Sequence, residues 1–127
     1  AAARGVKVQL LLSHWSQRPG RIETLQSLQA LPNLEVSLAT IPPWSGGFIP
    51  YGRVIHAKYL VVDGERFWLG TSNWERSYFY EGRNAGIIVE GSALAATVDR
   101  YFETGWESPY AAEVDPSRRY EIPRIGE

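Results

Sequence analysis

The chain has no cysteine and no methionine, and its 127 residues include only two histidines, His14 and His56. Without thiols there is neither a disulfide framework nor a thiolate zinc site. Two well-separated imidazoles cannot close a structural zinc site without an unusual carboxylate set, so no metal and no cofactor is expected. A basic excess is also missing, since 13 Lys plus Arg stand against 14 Asp plus Glu. That balance excludes a general grip on a polyanion, so any phosphate site must be local. No apolar run approaches the roughly 20 residues that cross a bilayer, and no leader pattern opens the chain. With no methionine, Ala1 reads as something other than a translation start, and "AAARGVKVQLLL" as the tail of a helix running into a strand. The expectation is a segment of a longer protein, with the compartment left open.

What is present fits a folded domain: 44% hydrophobic and 21% charged residues over a length that suits a single domain, residues 1–127. "VKVQLLL", Val6 to Leu12, predicts a buried strand, and "SHWSQRPG" a loop closed by Pro19 and Gly20. Ile22, Leu25, Leu28 and Leu31 recur at three-residue spacing, predicting an amphipathic helix over 21–31 that Pro32 ends. "LEVSLAT", Leu34 to Thr40, alternates with period two and predicts a second strand. The Pro, Gly and aromatic residues of "IPPWSGGFIPYG" make a loop. "VIHAKYLVVDGERFWLGT" predicts a hairpin with its turn at Asp63-Gly64, "AGIIVE" a further strand, and Ser92 to Trp106 a helix presenting Leu94, Val98, Tyr101 or Phe102, and Trp106 on one side. From Pro109 the chain reads as polar loop, with 113–127 a polar tail. The fold class is α/β, a mixed β-sheet flanked by helices.

The chemistry concentrates in "HAKYLVVDGERFWLGTSNW", His56 to Trp74. Residues two apart on a strand share a face, so His56 and Lys58 project together. A turn at Asp63-Gly64 pairs His56 with Thr71, and a turn at Gly64-Glu65 pairs it with Asn73. Either register puts Thr71 and Asn73 on the face of His56. Asp63 lies seven strand residues away, on the order of 23 Å, too far to orient the imidazole, and is read as a turn residue. One face thus gathers an imidazole, an ammonium, a hydroxyl and an amide. Imidazole attacks phosphorus or moves a proton near neutral pH, while ammonium and amide stabilise charge on non-bridging phosphate oxygens.

"HAKYLVVD" fits H-x-K-x4-D, and "GTSN" follows six residues after the Asp; together they resemble the signature of the phospholipase D superfamily. "LLLSHW", "IPYGRV", "TSNW" and "GWESPYA" are similar to the second half of the phospholipase D-like 5' exonucleases of animal lysosomes. The likeness runs to about Ala112. It implies one half of a two-fold fold and a phosphodiesterase that works without metal through a phosphohistidine. By that resemblance His56 is nucleophile or general acid, Lys58 and Asn73 hold the phosphate, and Thr71 keeps the hydroxyl of a commoner Ser. Asp63, Gly70 and Ser72 belong to the motif with structural roles. Where several members carry a Glu that orients the imidazole this chain has Asn84, a hydrogen-bonding residue that adds no charge. The family uses two such motifs per site and this sequence has one. The partner half is expected from upstream chain or from a second copy across a two-fold axis.

On that resemblance, single-stranded nucleic acid is the favoured substrate. Phospholipid headgroup hydrolysis or phosphatidyl transfer is the alternative, with Trp44, Phe48 and Ile49 as membrane contacts. A half-domain inactive alone, serving binding or assembly, is a third possibility. Some residues carry plainer expectations. His14 is read as structural, Phe67, Trp68 and Leu69 as core, and Arg53, Arg76 and Arg83 as surface charges that can meet flanking phosphates. Trp74 and the "YFY" run at 78–80 either stack a base or pack a helix start.

Overall fold

The computed structural model describes residues 1–126. The chain forms two compact units, one from Ala1 to Ile55 together with the chain from Gly105 onward, the other from His56 to Thr104. The described strands make two three-stranded sheets, where the sequence suggested one.

In the first unit, β1 (Val8–Ser13) runs parallel to β2 (Leu34–Ala39), from Val8 opposite Leu34 to Ser13 opposite Ala39. The crossover is a 3-10 turn at His14–Gln17 followed by α1 (Ile22–Gln29). Pro19 and Gly20 break the chain before α1, and the Gly20 amide donates to the Glu23 carboxylate at 2.6 Å, satisfying a donor at the helix start. Ile22 and Leu25 of α1 close on Val36 and Leu38 of β2, joined by Val114. Fully burying an aliphatic side chain of this size contributes about 1.5–3 kcal/mol, and Leu10, Leu12, Leu28 and Leu34 pack against these five.

Two expectations change here. β2 was expected to alternate between core and solvent, but Val36, Ser37, Leu38 and Ala39 are all buried, because β2 is the central strand. The stretch from Pro109 is not simply polar loop. It supplies the short strand β6 (Ala111–Glu113), antiparallel to β2, and the buried Val114, while Tyr120 packs against the core.

The second unit is an antiparallel sheet in the order β3 (Tyr59–Val62), β4 (Arg66–Gly70) and β5 (Gly86–Glu90), with the short α2 (Arg76–Tyr80) between β4 and β5. Gly91, at φ 144°, turns the chain from β5 into α3 (Ser92–Trp106), and its amide donates to the Glu65 carbonyl at 2.8 Å. α3 meets the sheet through Ala95, which is fully buried, and through Phe102 and Tyr101, whose rings stand edge-on to Tyr59 at 6.5 and 5.8 Å. On α3 only Ala95 is buried, Val98, Phe102 and Trp106 are partly buried, and Leu94 faces solvent. Alanine at 95 permits a close approach that a pattern weighted by side-chain size does not reveal. Among the described residues, no helix is long and apolar enough to cross a membrane.

Candidate active site

The hairpin turns where the sequence indicated, with one residue more than a two-residue loop. Asp63 and Gly64 have φ of 54° and 64°, and the Glu65 amide donates to the Val62 carbonyl at 3.1 Å. Positive φ at both central residues is what a type I′ turn requires, and Asp-Gly is a pair that accepts it. Pairing resumes only at Arg66, opposite Val62, which leaves Glu65 as a third loop residue. The register then runs Val61 to Phe67, Leu60 to Trp68 and Tyr59 to Leu69.

That register lies between the two alternatives drawn from sequence. β3 begins only at Tyr59, so His56 and Lys58 precede it, on the approach to the strand. The last bond of the hairpin is donated by the Gly70 amide to the Lys58 carbonyl, at 3.1 Å. Among the described residues no backbone bond joins the two arms beyond that one, so the ladder itself does not set His56 against Thr71, Ser72 or Asn73. The single extra residue in the loop is what puts the paired register between the two alternatives, since a shift of one residue reverses which face a paired side chain takes. Ser72 is buried, at 5% exposure, and His56 is exposed.

Beyond Gly70 the chain leaves the hairpin and continues along β5, with the Thr71 amide donating to the Ala85 carbonyl at 2.9 Å. The Thr71 hydroxyl accepts from the Ala85 amide at 3.1 Å and donates to Asn84 Oδ1 at 3.1 Å. Asn84 Nδ2 in turn donates to the Tyr78 carbonyl at 2.6 Å. Thr71 and Asn84 are thus tied together and to α2. Asn73 is half-buried, and its carbonyl accepts from the Glu75 amide at 2.8 Å. Among the described residues no hydrogen bond joins the His56 side chain to Thr71, Asn73 or Asn84.

Lys58 Nζ donates to the His56 carbonyl at 2.8 Å, so the ammonium folds back over the histidine's own backbone. Partial burial lowers its pKa from 10.5, because leaving water disfavours the charged form. An ammonium held by one neutral carbonyl and partly desolvated is ready to exchange that carbonyl for an anionic oxygen. Asp63 sits exposed in the hairpin turn, at the end of β3 away from Lys58.

Sequence reasoning took Trp68 as core, but its position is more specific. Gly70 and Gly86 are directly paired across β4 and β5, and the Trp68 indole fills the space that a Cβ on either would occupy. Trp74 then stands edge-on to Trp68, with ring centres 6.3 Å apart. Two glycines facing each other two residues from a tryptophan is a pattern visible in the sequence once the register is known. Of the arginines, Arg53 donates to the Pro42 carbonyl at 2.8 Å within the first unit, Arg76 lies over the Tyr80 ring, and Arg83 is exposed. His14 also belongs to the first unit, where its Nδ1 is buried without a hydrogen-bond partner among the described residues. No group of three or more His, Cys, Asp or Glu side chains is placed to hold a metal ion among the described residues.

The family described as "Cardiolipin synthase, PLD-like domain" matches residues 1–106 of this chain. The chain belongs to the phospholipase D superfamily. A probable phospholipase D of Caenorhabditis elegans is 32% identical over 127 residues, covering 90% of this chain and 23% of its own length. The 5'-3' exonuclease PLD3 of Rattus norvegicus is 37% identical over 128 residues, covering 92% of this chain and 26% of its own. This phospholipase D superfamily chain therefore spans about a quarter of the length of the curated relatives it matches. In fold it is similar to NucT from Helicobacter pylori, with a TM-score of 0.76 at 20% identity, over 88% of this chain and 68% of that one.

Proposed function

We propose that this phospholipase D superfamily chain carries one half of a phosphodiesterase site, and that the diester it cleaves belongs to single-stranded nucleic acid. The observation that supports this best is the hairpin end itself. There His56 is exposed, Lys58 is partly desolvated beside it, and Thr71 is fixed by Asn84 at the exit of the paired strand. In this reading a phosphate oxygen replaces the His56 carbonyl as the partner of Lys58 Nζ. The Asn73 amide donates to a second oxygen. His56 either attacks phosphorus, forming an N–P bond as the P–O bond to the leaving group breaks, or protonates the leaving oxygen while a second histidine attacks. Water then cleaves the N–P bond and releases the product phosphate.

The second histidine has to come from a partner half, supplied by further chain or by a second copy. General acid catalysis is typically worth about a hundred- to ten-thousand-fold, so one half alone should bind phosphate and turn over little. The test uses full-length protein on a 5'-labelled single-stranded oligonucleotide in EDTA. Release of nucleotides is expected, with loss of at least a hundredfold in His56→Asn and Lys58→Gln. Complete dependence on added metal, or an unaffected His56→Asn protein, refutes the mechanism.

A second reading has its own support. Trp44, Phe48 and Ile49 stand exposed on the loop of the first unit, and the relatives include proteins named as phospholipases D. On that reading the diester is a lipid headgroup linkage. Faster headgroup release from vesicles than nucleotide release from oligonucleotides decides for it.

A further inference from the structure

The five residues of α2, "RSYFY", bury none of their side chains, although three are aromatic. Phe79 is 60% exposed and Tyr80 78%, while Trp74, one residue past Asn73, is 62% exposed. Aromatic rings carry the largest apolar surfaces of any side chains, and three left exposed within seven residues of one another call for something to cover them. These rings do little for the core of their unit, which is made by Phe67 and Ala95.

The backbone of α2, which carries Phe79 and Tyr80, is also tied to Thr71. Asn84 bridges the two, accepting from the Thr71 hydroxyl on one side and donating to the carbonyl of Tyr78 on the other. Arg76 holds its guanidinium 5.5 Å from the centre of the Tyr80 ring, which places a cation at the edge of the aromatic surface. Charges of both signs, at Glu75, Arg76, Glu81 and Arg83, interleave the rings. A surface built for an anionic bilayer carries cations without acids among them, so this mixture disfavours a membrane. Flat exposed rings beside a phosphate-binding point are what a single strand needs. Every base offers a π-face regardless of sequence, and the backbone passes the charged site between stacked bases.

We infer that Trp74, Phe79 and Tyr80 form a stacking platform for the bases of a single strand whose phosphodiester lies at His56 and Lys58. The inference rests on the phosphodiesterase reading above and adds the part of the substrate that is gripped. It makes these residues substrate-positioning groups, acting on affinity and register and taking no part in bond making.

The experiment compares full-length wild-type protein with Phe79→Ala/Tyr80→Ala and with Trp74→Leu. Each acts on two single strands, a normal oligodeoxynucleotide and one of the same length with every base removed. Loss of one base–aromatic stack should raise KM by about 5- to 150-fold. Wild-type protein should therefore prefer the normal strand, and the variants should lose that preference through KM with kcat little altered. Phe79→Trp/Tyr80→Phe, which keeps the rings, should restore it. Equal losses on both strands together with a lower melting temperature overturn the inference, because the rings would then be packing against other parts of the protein. Unchanged oligonucleotide KM with weakened binding to anionic vesicles overturns it in favour of lipid. A wild-type protein that shows no preference for bases overturns it while leaving the diesterase reading intact, whereas a wild-type protein that cleaves neither strand defeats that reading first.

Discussion

Gly70 and Gly86 give the sharpest test of how the site is supported. Neither has a positive φ, so backbone conformation does not demand glycine at either place. Space does. A Cβ on Gly86 would lie 2.5 Å from Trp68 Nε1 and 3.0 Å from Cε2. Ordinary contact between such atoms needs about 3.5 Å, so the indole must move by about 1 Å, which disturbs its seat against Trp74. A Cβ on Gly70 would meet Trp68 Cη2 at 2.8 Å, with Cζ2 nearer still, and would also meet the Ala85 carbonyl oxygen at 2.9 Å. The first clash can be relieved by moving a side chain, but the second is with backbone. Overpacking of this kind typically costs about 1–3 kcal/mol, set against about 0.5–1 kcal/mol gained when a strand glycine becomes alanine. Gly86→Ala should therefore destabilise by about 1 kcal/mol and Gly70→Ala, which also meets backbone, by about 2 kcal/mol. In a Trp68→Val background the ring is gone. There Gly86→Ala should become neutral or slightly stabilising, while Gly70→Ala should keep part of its cost through the Ala85 carbonyl. Urea unfolding of the four proteins in each cycle measures this directly. If Gly86→Ala costs the same with and without Trp68, the indole does not occupy that space and the account of the β4–β5 pair is wrong.

Three further outcomes follow from the same geometry. Reductive methylation with a carbon-13 label marks Lys58 together with Lys7 and the terminal amine, and loss of one signal in Lys58→Arg assigns it; Lys58 should titrate below 10.5, and a value at or above 10.5 refutes its desolvation. Tyr59 is pushed up to about 12 by burial, with Tyr101 and Asp99 adding to the shift. Its neutral form is favoured in the folded state, so that contribution to stability is complete below pH 10 and is lost as the pH rises through about 12. Tyr59→Phe should flatten this alkaline loss in chemical denaturation, and an unchanged slope between pH 10 and 12 counts against it. Asp63→Asn should leave stability and turnover close to wild type, since asparagine accepts a φ of 54°, while Asp63→Val should cost about 1–2 kcal/mol. A folded Asp63→Asn protein that has lost turnover shows instead that the carboxylate serves the chemistry.

Much of this arrangement was legible in the residues. Leu34, Val36 and Leu38 announced a strand by their period, Ile22, Leu25 and Leu28 a helix by theirs, and Asp63-Gly64 a turn by its backbone demands. Local patterns of this sort are set by near neighbours, which is why they survive without a structure. The hairpin register did not, because a loop of two or three residues can be built on the same Asp-Gly pair, and only pairing across β3 and β4 decides between them. The inward side of α3 was read in part, with Val98, Phe102 and Trp106 partly buried but Leu94 exposed. The centre of that side is Ala95, chosen for close approach, and a small residue leaves almost no mark in a hydrophobic pattern. β6 is three residues of "AAE" in a polar stretch, and it becomes a strand only because β2 offers an edge to pair with. The motif residues were found by their spacing, but the bridge from Thr71 through Asn84 to Tyr78 needed coordinates, since its last link is a backbone carbonyl.

The final bond of the hairpin, from Gly70 to Lys58, leaves His56 and its neighbours on the fraying side of the strand pair. Opening free energy along a native chain is lowest where backbone hydrogen bonds run out, so this end can breathe without the unit unfolding. A bound phosphate that engages Lys58 and Asn73 would complete the order that the ladder leaves off, and amide exchange at residues 56–58 and 71–74 would slow accordingly. On the proposed function, the last step in ordering this segment would be the arrival of a phosphate.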